Sequence, residues 1–73
     1  MSKFYLLCAR CKEISLHPLY EVGEYGETVW NTRKNAEFLE KHRESITRIR
    51  FILEDTKELL VKMGHRVQQD TKD

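Results

Sequence analysis

The strongest constraint in this sequence is an abrupt change of character at residue 31. From Asn31 to Met63 the chain has no glycine or proline, and apolar side chains recur at spacings of three and four residues. This spacing is typical of an amphipathic helix. The stripe consists of Leu39, His42, Ile46, Ile49, Leu53, Thr56, Leu60 and Met63. We expect either one long helix or two consecutive helices with a break between His42 and Ser45, because serine can cap a new helix.

The first part of the chain has the opposite composition. It holds the single proline, Pro18, together with Gly23 and Gly26, and aromatic and branched side chains lie between them. Such segments are typical of short strands joined by turns. We expect a strand at residues 3–8, one or two further short strands, and a loop at 23–27.

The two parts together predict an α+β fold in a single domain at about residues 1–65. The half at about 3–30 is expected to pack on the helical half at about 31–64, because its aromatic side chains can cover the apolar stripe. The polar segment 66–73 is expected to be a disordered tail. A chain of 73 residues has a small core and benefits from a staple such as a metal. We expect a binding protein and not an enzyme, because so few convergent polar groups cannot build a catalytic cleft.

Cys8 and Cys11 form the sharpest local motif. Two cysteines separated by two residues can present both sulfurs to one Zn²⁺, and a structural zinc would stabilise so small a core. Two further ligands are needed, and we expect His17 and His42, with His65 as a substitute. The alternative is that no metal binds, so that Cys8 is a buried apolar residue, Cys11 is exposed and His42 belongs to the core.

Residues 13–32 contain acidic side chains and no lysine or arginine. Acidic loops that carry large aromatic side chains suit protein partners with basic surfaces. The predicted partner-binding residues are Tyr20, Glu21, Glu24, Tyr25 and Glu27. The alternative is that Tyr20 and Trp30 belong to the core, and that the acids are the solvated side of a hairpin.

A basic patch is expected in the helical half, at Lys41, Arg43, Arg48 and Arg50. Arg43 and Arg50 lie seven residues apart and would share one face of a helix, where they could contact nucleic-acid phosphates as a secondary activity. The alternative is a solvated face whose cations pair with neighbouring acids, namely Glu40, Glu44 and Glu54.

The start of the chain shows no secretory or membrane-spanning pattern. The apolar run from Phe4 to Cys8 is far shorter than either kind of segment. We therefore expect a cytoplasmic protein with no membrane partner, in which Cys8 and Cys11 are thiols or metal ligands and not a structural disulfide.

Three stretches of the chain carry a resemblance to a known group. They are the opening Phe4-Tyr-Leu-Leu-Cys-Ala-Arg-Cys-Lys12, the loop His17-Pro-Leu-Tyr-Glu-Val-Gly-Glu-Tyr-Gly26 and the charged helical half. Together, over the full chain, they resemble the small transcription regulators of lytic phages that infect Xanthomonas. The resemblance implies a phage protein that binds the host RNA polymerase in the cytoplasm of the infected bacterium. It further implies inhibition of initiation, by interference with the sigma factor, and suppression of termination.

Two alternatives from other classes stay open. One is a small zinc-binding module that binds nucleic acid through the basic patch. The other is a structural dimer in which the helical stripe pairs with itself.

Overall fold

The computed structural model describes residues 2–69 and confirms the α+β class. The strands are β1 (Ser2–Cys8), β2 (Glu13–Ile14), β3 (Tyr20–Val22), β4 (Thr28–Trp30), β5 (Ile49–Leu53) and β6 (Arg66–Val67). The helices are α1 (Ala36–Lys41), a 3₁₀ helix (Arg43–Arg48) and α2 (Glu54–Lys62). The strand-rich first half and the C-terminal helix are therefore where the sequence predicts them.

The six-stranded sheet is organised around β1. Along one edge β1 pairs antiparallel with β5, from Phe4 opposite Leu53 to Cys8 opposite Ile49. Along its other edge β1 pairs antiparallel with β3 near its start and with β2 near its end. β4 extends the sheet beyond β3, and β6 adds a parallel pair to β2. The aromatic and aliphatic run predicted as a strand is thus the centre of the fold.

Both faces of β1 are covered where the strand is most apolar. Because successive side chains alternate between faces, Leu6 and Cys8 lie on one face, under the fully buried Phe38 of α1. Tyr5 lies on the other face, in a second cluster that packs against Leu60 of α2. These two small clusters form the core.

The helix α2 contacts the sheet at Tyr5 of β1. Lys57 places its ammonium 4.2 Å from the centre of the Tyr5 ring, and the Tyr5 hydroxyl lies 3.4 Å from Oε2 of Glu54. Burial and, second, the negative charge of Glu54 raise the pKa of Tyr5 above its ordinary value. No residue of α2 is fully buried, so this helix has one packed side and one solvated side.

The predicted helical stripe is interrupted at residues 49–53, where β5 replaces helix. The segment Ile-Arg-Phe-Ile-Leu is rich in β-branched and aromatic side chains, and it pairs with β1 at every residue. That pairing outweighs the local helical pattern. The break expected between His42 and Ser45 is confirmed, because His42 ends α1 and Ser45 has a non-helical φ of −115° inside the 3₁₀ helix.

The helical half also begins later than predicted. Residues 32–35 form a turn, and α1 starts at Ala36 with no side-chain cap. Asn35 is buried, and its Nδ2 donates to the carbonyl oxygens of Pro18 and Asn31 at 3.1 and 2.8 Å. The asparagine therefore fastens this turn to the loop that precedes β3, instead of capping a helix.

The end of α2 follows the predicted pattern. Gly64 has a φ of +108°, its N–H donates to the Val61 oxygen, and the His65 N–H donates to the Leu60 oxygen. This is the paired hydrogen bonding of a Schellman motif.

The segment predicted as a tail is only partly described. Its first residues are ordered: Arg66–Val67 form β6, and Gln68 N–H donates to the Ile14 oxygen at 2.8 Å. Residues 70–73 lie outside the described part of the chain. Within residues 2–69, no helix has the length and apolar character needed to cross a membrane.

Candidate metal centre

The turn between β1 and β2 brings the two cysteines together. Lys12 N–H donates to the Cys8 oxygen at 2.8 Å, and Lys12 adopts a left-handed φ of 55° that reverses the chain. Cys8 is completely buried at the end of β1, whereas Cys11 in the turn is half-buried. Both are free thiols.

His42 reaches the same place from the end of α1. It is buried, and its ring packs against Phe38 with the ring centres 4.4 Å apart. One potential ligand atom from each of Cys8, Cys11 and His42 lies within 4.8 Å of the other two. This cluster can hold a metal ion, and sulfur with imidazole nitrogen is the ligand set that Zn²⁺ prefers.

Glu13 orients the histidine of this cluster. Its Oε1 lies 2.7 Å from Nε2 of His42 and 3.1 Å from Nζ of Lys41. An ionised carboxylate can only accept hydrogen bonds, so Nε2 carries the hydrogen and Nδ1 is left as the nitrogen that can bind a metal. A carboxylate behind a histidine ligand is a recurrent arrangement in metal sites.

The charge of Glu13 is stabilised where it lies. Burial alone raises the pKa of Glu13, but the hydrogen bonds from Lys41 and His42 outweigh burial, so that this pKa lies below its ordinary value. Glu13 is therefore ionised at neutral pH, as its role as acceptor requires. The sequence did not predict that Glu13 contacts His42, because the two residues are far apart along the chain and no local pattern indicates that they are partners.

The two thiols also influence each other. A hydrogen bond with Cys8 is the main reason why the pKa of the Cys11 thiol lies above its ordinary value, and burial adds to it. Cys11 therefore holds its proton at neutral pH, and a metal must displace that proton to bind.

The other predicted ligands lie outside the cluster. His17 is half-buried in the loop between β2 and β3, where its carbonyl oxygen accepts a hydrogen bond from Ser15 Oγ at 2.8 Å. His65 follows α2, and its Nδ1 is buried without a hydrogen-bond partner in the described part of the chain. Neither belongs to the group of donors around Cys8 and Cys11, so residues 2–69 bring three ligands together and not four.

The predicted partner-binding residues lie on the hairpin of β3 and β4 but do not share one surface. Tyr20 and Glu21 are neighbours in β3 and point to opposite faces, and Glu21 pairs with Lys3 at 3.8 Å. Glu24 and Tyr25 form the exposed tip, where Tyr25 is 90% exposed.

Glu27 stabilises the hairpin loop. Its Oε2 accepts the Tyr25 N–H at 3.1 Å, and its side chain occupies the space in which a Cβ at Gly23 would lie. The loop also depends on the left-handed conformation of Gly26, whose φ is +85°. Glu27 is thus a structural residue of the hairpin as well as an acid on its surface.

A row of aromatic rings crosses the part of the sheet that α1 leaves uncovered. The Tyr20 ring stacks on Phe4 and also contacts Trp30, with 4.7 Å between ring centres in each pair, and Phe51 meets Tyr20 edge-on at 6.0 Å. Trp30 and Phe51 are each 59% exposed. We call this surface, made of Phe4, Tyr20, Trp30 and Phe51, the aromatic face. One interpretation of the sequence predicts that Trp30 belongs to the core, but the structure places it at the surface.

The predicted basic patch is dispersed. Lys41 pairs with Glu13, and Arg43 pairs with Glu40 at 3.4 Å. Arg50 lies in β5, where its Nη1 donates to the carbonyl oxygens of Thr47 and Ile49. Because β5 is a strand, Arg43 and Arg50 do not share a helix face.

Comparisons with known proteins do not assign this chain to a family. No family model matches it, and neither the curated proteins nor the solved structures give a significant match.

Proposed function

We propose that this chain is a small, metal-stabilised binding protein that regulates transcription by docking on bacterial RNA polymerase. In this proposal it inhibits initiation by interfering with the sigma factor, suppresses termination, and acts in the cytoplasm of a phage-infected bacterium without catalysing a reaction. The observation that supports a docking role is the exposed aromatic face. The polymerase as partner rests on the resemblance to the small phage transcription regulators.

The aromatic face has the composition of a binding surface. Large exposed aromatic side chains are uncommon on a small protein that has no partner, and tryptophan is prominent among residues that dominate binding energy. The rings of Trp30 and Phe51 both contact the ring of Tyr20, and this contact reduces the conformational entropy that they would lose when a partner covers them.

The charge next to the aromatic face favours a basic partner. The hairpin that carries Tyr20 and Trp30 also carries Glu24 and Glu27, both exposed. Acidic residues at the rim of an apolar patch steer and orient a positively charged partner surface. We therefore propose that the polymerase surface contacted by this chain is basic around an apolar centre.

The metal in this proposal is a structural zinc held by Cys8, Cys11 and Nδ1 of His42. When bound, it would fasten the turn after β1 to the end of α1, which are separate parts of a small core. Structural zinc sites have four ligands, so the fourth position falls to water or to a group outside the described cluster.

Transcription by a purified Xanthomonas RNA polymerase tests the proposal. The template carries a sigma-dependent promoter followed by an intrinsic terminator. The chain should reduce transcripts when it is added before initiation, and it should increase read-through when it is added to elongation complexes. The double variant Glu24→Lys with Tyr25→Ser should need at least tenfold more protein for both effects.

The matched control is Glu58→Lys, because Glu58 is an exposed acid of α2 and not part of the hairpin. It makes the same charge change and should act like the unmodified chain. The proposal is wrong if the unmodified chain alters neither initiation nor termination.

A further inference from the structure

Side chains of opposite charge are concentrated at the two ends of β1. Near its start, Lys3 is the one cation among the described residues that line a cleft with Glu21, Glu27, Glu54 and Asp55. The chain as a whole has a net charge of only +1, so this acidic end implies a basic region elsewhere.

Four exposed cations gather at the opposite end of β1, and they come from three separate segments. Arg10 and Lys12 belong to the turn that follows β1, Arg48 directly precedes β5, and Arg66 begins β6. Backbone hydrogen bonds tie these segments together: Ala9 N–H donates to the Arg48 oxygen at 3.0 Å, and Arg66 N–H donates to the Lys12 oxygen at 2.9 Å. Arg10 and Arg48 also line one shallow cleft with Ala9. We call Arg10, Lys12, Arg48 and Arg66 the basic end.

Two of these guanidinium groups are held in place by neutral oxygen atoms. Nη1 of Arg10 donates to Oγ of Ser45 at 3.3 Å, and Nη2 of Arg66 donates to the carbonyl oxygen of Cys11 at 3.2 Å. Within residues 2–69, none of the four cations of the basic end takes part in a salt bridge. An arginine oriented in this way keeps its charge and its remaining donors for an anion.

Glu13, the acid closest to this end along the chain, is already engaged. It directly follows Lys12 but is buried and paired with Lys41 and His42. Glu44 lies four residues before Arg48, but within residues 2–69 no salt bridge joins the two. Neither acid is therefore paired with the basic end.

We propose that the basic end binds the phosphodiester backbone of a nucleic acid. Several cations on one surface are the electrostatic footprint of such binding, and oriented arginines are well suited to phosphate oxygens. A polyanion would be attracted to the basic end and repelled by the acidic cleft, so the molecule would bind it in one orientation. This site differs from the aromatic face, and it does not depend on the identity of the protein partner.

Fluorescence anisotropy with labelled oligonucleotides tests the proposal. The probes are a 20-nucleotide single-stranded RNA and a 20-base-pair DNA duplex, titrated with the full chain between 50 and 200 mM KCl. For the RNA, four phosphate contacts predict a slope of about −3 in log affinity against log salt concentration. The better-bound probe identifies the kind of nucleic acid that supplies the phosphates.

The informative variant is Arg10→Gln with Arg48→Gln, which removes two of the four cations. Its affinity at 50 mM KCl should fall at least tenfold, and its salt slope should become shallower by about 1.4 for RNA. The matched control is Arg33→Gln with Lys34→Gln, which removes two exposed cations from the turn beyond β4 and should change affinity less than twofold. If the double variant unfolds, Arg48→Gln alone is tested in its place, because it leaves the contact between Arg10 and Ser45 intact.

Three results would overturn the proposal. The first is that neither probe binds at 50 mM KCl. The second is binding that does not weaken with salt, and the third is an equal loss in the informative variant and in the control.

Discussion

Glu13 shows what the sequence could and could not predict about the candidate metal site. The Cys8 and Cys11 pair was recognisable from its spacing, and His42 stood out because it occupies an apolar position. The role of Glu13 depends on α1 folding back over the turn after β1, which no local pattern encodes. His17 was predicted for its nearness in sequence, but the loop at residues 15–19 carries it away from the cysteines.

The ligand set predicts how single substitutions change metal binding. Cys11→Ser and His42→Ala should each weaken the binding of Co²⁺ at least hundredfold, because each removes one of three donors. The measurement is a Co²⁺ titration followed by the thiolate charge-transfer absorption, with Zn²⁺ competition. His17→Ala should bind like the unmodified chain, and an equal loss in that control would contradict the ligand set.

Because Glu13 contacts His42, replacing Glu13 should weaken metal binding even though Glu13 is not itself a ligand. Glu13→Gln should lower metal affinity about 10- to 100-fold, because the neutral amide orients and polarises the imidazole less well. It should also lower the free energy of unfolding of the metal-free chain by about 1–3 kcal/mol, since a buried charged hydrogen bond is weakened. Co²⁺ titration and urea unfolding measure the two effects. Glu44→Gln, an exposed acid of the 3₁₀ helix, should change neither.

Among the secondary-structure elements, β5 differs most from the sequence prediction. The apolar residues of Ile49–Leu53 fit a helical stripe, but the segment is also rich in the β-branched and aromatic side chains that favour strands. The segment forms a strand because β1 offers it an edge for pairing, and Ile52 is then buried on the face of the sheet that α2 covers. The break expected at His42–Ser45 is present, but Ser45 does not cap a second helix, because it lies inside the 3₁₀ helix, which has no side-chain cap.

The end of α2 gives a prediction at the same scale. Gly64→Ala should lower the free energy of unfolding by about 1 kcal/mol, because alanine is strained at a φ of +108°. No atom of residues 2–69 lies within 4 Å of the added Cβ, so the expected effect is one of backbone conformation and not of packing. Gly64→Asn should be closer to the unmodified chain, since asparagine tolerates this conformation better. Urea unfolding measures both variants, and an equal loss would argue against this explanation.

The whole molecule is a thin sheet with a small core on each face. The α+β class and the division into two halves were predictable, because composition changes so sharply at residue 31. The acidic segment at 13–32 was visible as well, but folding splits it: Glu13 joins the candidate metal centre, whereas Glu21 and Glu27 line a cleft at the other end of β1. The surface distribution of charge therefore follows from topology and not from order along the chain.

A core of this size predicts that metal contributes to stability. With free Zn²⁺ at a hundred times its dissociation constant, the native state should gain about 2.7 kcal/mol. Thermal unfolding followed by circular dichroism should then show a lower midpoint after chelation, and the midpoint should return when Zn²⁺ is restored. The variant Cys8→Ala with Cys11→Ser should melt at the same temperature with and without chelator. A chelator effect of the same size in that variant would contradict a role for these thiols.

The most direct test of the proposed function is binding of purified Xanthomonas RNA polymerase to the immobilised chain, measured by biolayer interferometry. The variant Trp30→Ser with Phe51→Ser removes the exposed rings of the aromatic face. The control Leu59→Ser with Met63→Ser removes two exposed apolar side chains, one in α2 and one directly after it. We predict that the unmodified chain and the control bind alike, and that the aromatic variant binds at least a hundredfold more weakly while remaining folded. No binding by the unmodified chain, or equal binding by the aromatic variant, would contradict the account.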